Sequence, residues 1–170
     1  MATVLTQTYN ADAAIVVTAW DSLAADDWAS SANFENSNGY VDVLVGGEIP
    51  AAATTLAAGE SFDIYVTARY DKDLATSYGG GLGTALGAAD ASLEEDTEFT
   101  PLNLELLTMV SVEATTPNTT QDYMWGPVSI AQAFGGIMPQ HFMLIIHNNT
   151  GSALTTSCVV NSVGITYTST

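Results

Sequence analysis

Phe62-Asp-Ile-Tyr-Val-Thr-Ala-Arg-Tyr70 decides the fold. Phe62, Ile64, Val66 and Ala68 fall on one face of an extended chain and Asp63, Thr67 and Arg69 on the other, the two-residue period of a half-buried antiparallel strand. The same alternation recurs upstream in Tyr40-Val-Asp-Val-Leu-Val45 and downstream in Leu102-Asn-Leu-Glu-Leu106 and Thr108-Met-Val-Ser-Val-Glu113. His141-Phe-Met-Leu-Ile-Ile-His147 is apolar at both parities, as befits a central strand covered on both sides. Asn148-Asn-Thr-Gly151 then turns the chain, because Asn and Gly tolerate positive φ, and further strands are predicted over 153–160 and 163–168. Helix signals are confined to Ser129–Phe134, started by Ser129 and stopped by Gly135-Gly136, and to Leu23–Ser31. Short strands separated by turn signals, with no βαβ rhythm, predict an all-β fold: an antiparallel β-sandwich or jelly roll with at most one or two short helices. The segment 71–98, with Gly79, Gly80, Gly81, Gly83 and Gly87, reads as one long Gly-rich insertion loop. Residues 13–170 are predicted to form a single β-sandwich domain, preceded by an N-terminal arm over 1–12.

Nineteen acidic residues against two basic ones give a formal charge of −17 on 170 residues. The acidic fraction is ordinary; what the chain lacks is cations, which are only Arg69 and Lys72. Two cations cannot displace counterions along a phosphate backbone, which excludes nucleic acid as a partner, and an anionic membrane is excluded on the same ground. Phosphoryl transfer has almost nothing with which to hold phosphates. Disorder is excluded as well, since hydrophobic residues make up 47% of the chain, enough apolar surface to offset the ordering entropy. A single cysteine, Cys158, forms no internal disulfide, so stability must come from packing or assembly. Met1–Asn10 has no cationic n-region, and no apolar run reaches the ~20 residues of a membrane span, so the chain is expected to be made without export.

Residues that carry chemistry in other proteins are sparse here. His141 and His147 end one strand, six residues apart and so roughly 20 Å from one another, too far to share an ion. No Gly-x-Ser-x-Gly elbow accompanies them, and they read as the ends of a buried strand rather than catalytic groups. Cys158, within the apolar Ser157-Cys-Val-Val160, reads as a small core residue. Asp26-Asp27, Asp71-Lys72-Asp73 and Glu94-Glu95-Asp96 are oxygen-rich, but no Asp-x-Asp-x-Asp-Gly loop is present, so no cofactor or metal is expected, with calcium left as an open alternative. Gly79–Gly87 lacks the spacing and the lysine of a phosphate-binding loop. Trp20, Trp28, Trp125 and the seven tyrosines are either core and interface residues or the lining of a sugar-binding face.

Gly126-Pro-Val-Ser-Ile-Ala-Gln-Ala-Phe-Gly-Gly-Ile-Met-Pro139, the apolar strand after it and Asn148-Asn-Thr-Gly-Ser-Ala-Leu154 resemble virion structural proteins of tailed bacteriophages. Trp28-Ala-Ser-Ser-Ala-Asn-Phe-Glu-Asn36, Tyr40–Gly46 and Phe62–Val66 are similar to the same group. The resemblance implies a noncatalytic β-sandwich in the phage particle, an accessory capsid protein of the cement or decoration type. It would lie on the capsid exterior after synthesis in the host cytoplasm. The partners so implied are the major capsid protein and copies of the chain itself, expected as a homotrimer. The alternative is a tail or head-fibre module that binds a cell-surface glycan. The half-apolar Thr3-Val-Leu-Thr-Gln-Thr-Tyr9 is expected to pair with a neighbouring subunit as an added strand, which makes Val4, Leu5 and Tyr9 the candidate partner-binding residues.

Overall fold

The alternation at 62–70 becomes a strand of nine residues, Ser61–Arg69, whose Phe62, Ile64 and Val66 are fully buried. A computed structural model describes residues 5–52, 56–69, 78–79, 85–86, 91–93, 104–113 and 120–169. In chain order the strands are β1 (Leu5–Ile15), β2 (Trp28–Ser30), β3 (Phe34–Glu35), β4 (Asp42–Ala52), β5 (Ser61–Arg69), β6 (Tyr78–Gly79) and β7 (Ala85–Leu86). They continue with β8 (Ala91–Leu93), β9 (Glu105–Ser111), β10 (Thr120–Ser129), β11 (His141–Asn149) and β12 (Val159–Ser169). One helical turn, α1 (Ile130–Ala133), lies between β10 and β11.

Two antiparallel sheets pack face to face. The four-stranded sheet runs β1-β12-β4-β10, and the other runs β8-β2-β11-β5-β9 with β3 also paired to β11. The pairings are nested: β1 with β12, β2 with β11, β4 with β10 and β5 with β9. A chain folded once on itself and then rolled gives this order, which is the jelly roll. Both the all-β class and the sandwich architecture are therefore as the alternation predicts. The core between the sheets takes Val43, Val45 and Ile49 from one side and Phe62, Ile64, Phe142, Leu144 and Ile146 from the other. Each such side chain contributes roughly 1.5–3 kcal/mol on full burial.

β11 is covered on both faces, as its sequence demands. Phe142, Leu144 and Ile146 point into the main core, while Met143 and Ile145, equally buried, pack with Trp28 on the opposite side of the sheet. The turn after it is fixed by Asn148, whose buried Nδ2 donates to the carbonyls of Ala24 and Ser152 at 2.8 Å, while its Oδ1 accepts from Thr150 Oγ1 at 2.7 Å.

Two expectations need correction. Leu23–Ser31 is not helical: a 3-10 turn stands earlier, at Thr18–Trp20, and Trp28–Ser30 forms β2 against Ile145–His147. The place for a strand beside β11 overrides the weak helical preference of an Ala- and Asp-rich segment. The separate strands expected over 153–160 and 163–168 are one strand, β12, and before it only Leu154 makes an isolated bridge, to Ala51. Asn161 and Ser162, between the two expected strands, lie inside the ladder, where buried Ser162 satisfies its hydroxyl by donating to the Ala13 carbonyl at 3.0 Å.

The Gly-rich stretch 71–98 separates β5 from β9 and lies mostly outside the described residues. Within it β6 pairs with β7, and β8 extends the larger sheet beside β2. Leu5–Asp12, read from sequence as part of an arm, belongs to β1 and is laddered to β12 of the same chain.

Candidate interaction surface

β1 and β12 are rich in Thr, Ile, Val and Tyr, residues suited to a pleated surface. Residues opposite one another in an antiparallel ladder share a face. Leu5 faces Ser169, Gln7 faces Tyr167 and Tyr9 faces Ile165, which in turn faces Asp42 on β4. Leu5, Tyr9 and Tyr167 are 69%, 61% and 54% exposed, large apolar surfaces left in water at one end of the smaller sheet. Val4 lies outside the described residues. Beyond Tyr9 the ladder is interrupted by a bulge before Asp12, and Asn10 locks it by donating from Nδ2 to the Gly164 carbonyl at 2.9 Å.

On the same face of this ribbon opens a cleft of about 630 Å³, lined by Gln7, Ile165, Tyr167 and Asp42 on one side and by Ala131, Gly135 and Gly136 on the other. The latter side is held by Asp42. Its Oδ1 accepts from the Val43 and Ala131 amides at 2.7 and 2.9 Å, and its Oδ2 accepts from Ser129 Oγ at 2.7 Å. Ser129 in turn caps α1 by accepting from the Gln132 amide at 3.0 Å, the role its sequence position predicts. Gly135 and Gly136, at φ of 68° and 89°, end the helix in the left-handed region. Both Asp42 oxygens are thus engaged in structure, and the cleft offers polar groups of modest reactivity beside apolar walls.

Asp42, held by its three donors, is the charged residue that lines this cleft among the described residues. Every acidic residue lies between Asp12 and Asp122, and residues 123–170 contain no Asp, Glu, Lys or Arg. The Leu5–Tyr9 half of β1, all of β12, and α1 are therefore uncharged in a chain of net charge −17. Gln7 and Tyr167 are the surface residues that sequence reading passed over, and this charge-free run of sequence is the signal that would have marked them.

A second cluster covers the outer side of the larger sheet. The His147 ring stacks on Trp28 with centroids 4.1 Å apart, Tyr65 tilts against Trp28 at 5.4 Å, and His147 Nδ1 lies 4.0 Å from Asp63 Oδ2. Burial, and then the Asp63 charge, push the Tyr65 hydroxyl above its ordinary pKa. His141 lies on the same face but is buried, with its Nδ1 3.4 Å from Asn33 Nδ2. Among the described residues neither histidine is bonded to a Ser, Thr or Cys side chain, and Cys158 stands apart, its amide donating to Asp21 Oδ1 at 2.8 Å. Trp20, Trp28 and Trp125 are all at most 8% exposed, so they are packing residues and not the lining of a sugar-binding face. Among the described residues no three His, Cys, Asp or Glu side chains converge on one point. Asp26 and Asp27 bond through their backbone to Asn148 at the end of β11, and no third ligand-type side chain joins their carboxylates among the described residues; Asp71–Asp73 and Glu94–Asp96 lie outside the described residues. No protein-family model matches the chain, and no curated protein is significantly similar to it.

Proposed function

We propose that this chain is a noncatalytic structural protein of a tailed-phage particle, an accessory capsid protein that bridges shell subunits from the outside. The observation that carries the reading is the uncharged ribbon end of β1 and β12, with Leu5, Tyr9 and Tyr167 exposed on an otherwise acidic sandwich. Exposed aromatic and aliphatic side chains free of charge are what the centre of a protein interface is made of. The jelly roll supports the reading only weakly, because viral capsid domains and lectins both use it and fold alone assigns no function. A bridging protein stabilises a shell by mass action: it binds the assembled state and not its separated parts.

Purified protein mixed with DNA-emptied shells of the phage that encodes it tests the proposal. Co-sedimentation is expected, with loss on Leu5→Asp/Tyr9→Asp. Protein that stays in the supernatant at concentrations well above those in an infected cell overturns it. One observation favours a second reading, a fibre module for glycans: Tyr167 and Gln7 line the open cleft together, an aromatic face beside an amide. Reproducible binding on a glycan array, abolished by Tyr167→Ala while shell binding is absent, selects that alternative.

A further inference from the structure

The free edge of β1 has an occupant that the charge distribution identifies. We propose that Leu5–Tyr9 pairs antiparallel with the same segment of a second copy, about a twofold axis at Gln7, joining two four-stranded sheets into one. Among the described residues β1 is the outermost strand of its sheet, so one row of its backbone donors and acceptors faces away from β12. Proteins that keep such an edge unpaired blunt it with charge, proline or a bulge. At the other edge of the same sheet, β10 carries Asp122, Pro127 and a register shift between Trp125 and Val128. On the larger sheet, β9 carries Glu105 at its start. Leu5–Tyr9 has none of these devices until the bulge that follows Tyr9.

The choice of a second copy follows from charge. A basic partner would be drawn to the carboxylates, all of which lie from Asp12 onward, whereas this segment offers it nothing. Two chains of −17 repel one another over most of their surfaces and can meet only where neither carries charge. Centred at Gln7, the pairing sets Leu5 against Tyr9 of the second copy, Thr6 against Thr8, and Gln7 against itself. Leu5 and Tyr9 of the two copies then pack side by side across the seam on the face that carries Tyr167, which stays open to a shell, and each Asp12 lies beyond the paired segment. An antiparallel pairing of identical strands closes on a twofold axis, so the product is a dimer and not the trimer implied by the family resemblance.

This inference leans on the assembly reading only for its biological setting, and its test needs no shell. Sedimentation equilibrium of the full chain in ~1 M salt, where the Debye length is ~3 Å, is expected to give twice the 17.7 kDa chain mass. Gln7→Glu and Gln7→Lys change net charge in opposite directions, yet each sets like charges face to face at the axis. Each is expected to weaken the dimer by more than ~tenfold, and an equimolar mixture of the two to restore it. Gln7 is exposed, and an unchanged circular dichroism spectrum confirms that both variants fold. A monomeric wild type, a mass three times the chain's, a dimer indifferent to both substitutions, or no recovery on mixing overturns the proposal. Shells that bind the monomer would sink the dimer and spare the capsid reading; a Gln7-dependent dimer that ignores shells would do the reverse.

Discussion

Asp42 holds three donors on one carboxylate, and two of them belong to the turn that opens α1. Charge-assisted bonds of this length exceed neutral ones in strength. Asp42→Ala is expected to cost about 2–3 kcal/mol in urea unfolding, against about 1 kcal/mol for Ser129→Ala, which leaves the Ala131 bond in place. Cys158 gives a pH dependence of defined sign. Burial, and then the charge of Asp21, push its thiol from an ordinary value of 9.0 up to about 12. The folded chain therefore keeps a proton that the unfolded chain releases, so stability is full below about pH 9 and falls as pH rises towards 12. Tyr65 and Tyr123, both raised chiefly by burial, act in the same direction. Urea midpoints followed from neutral to alkaline pH should fall, and Cys158→Ala should flatten part of that slope. At neutral pH the native thiol should react with a disulfide reagent far more slowly than the urea-unfolded one.

Individual elements differ in how firmly they are held. In β1, Ile15 is buried opposite Val160, whereas Leu5–Tyr9 stay exposed. Deleting residues 1–9 should therefore shift Tm by less than about 5 °C, while Ile15→Ala costs about 2–4 kcal/mol. In β4, Gly47 lies so close to β12 that a Cβ there would collide with the Val159 carbonyl. The obstructing atoms are all β12 backbone, which cannot swing aside, so Gly47→Ala should cost at least about 3 kcal/mol or prevent folding, as read by denaturant titration. β5 and β11 were legible in sequence, because alternation and double-sided apolarity are local properties of the chain. The Ser129 cap was legible for the same reason. β2 was not, since Trp28-Ala-Ser30 is too short to show an alternation of its own and is extended in the company of β11. The β1–β12 surface was half legible: Leu5 and Tyr9 stand out by their alternation, but Tyr167 gains meaning only once the ladder sets it across from Gln7.

On the scale of the molecule, charge is the dominant unbalanced force. With a formal charge of −17 and no Lys or Arg ion pair among the described residues, self-repulsion opposes the compact state. Tm is expected to rise as salt goes from ~10 mM, where the Debye length is ~30 Å, to ~1 M, where it is ~3 Å. A calorimetric scan that showed no rise would mean that the carboxylates are too well separated to repel. The sandwich class followed from the sequence because hydrophobic period sets layers. The nested strand order did not, since pairing partners far apart in the chain leave no local mark.

That nested order also sets a timetable. β1 and β12 stand beside one another in space but are separated by nearly the whole described chain. β1 can enter its sheet only after β12 has been synthesised, and β4 likewise waits for β10 and β12. Closing such distant pairs slows the search, and folding in the range of ~milliseconds to seconds is the rule for topologies of this kind. While the nascent chain waits, the uncharged Leu5–Tyr9 half of β1 is the segment most open to pairing with a wrong neighbour, and the long acidic middle of the polypeptide keeps those neighbours apart until the roll can close.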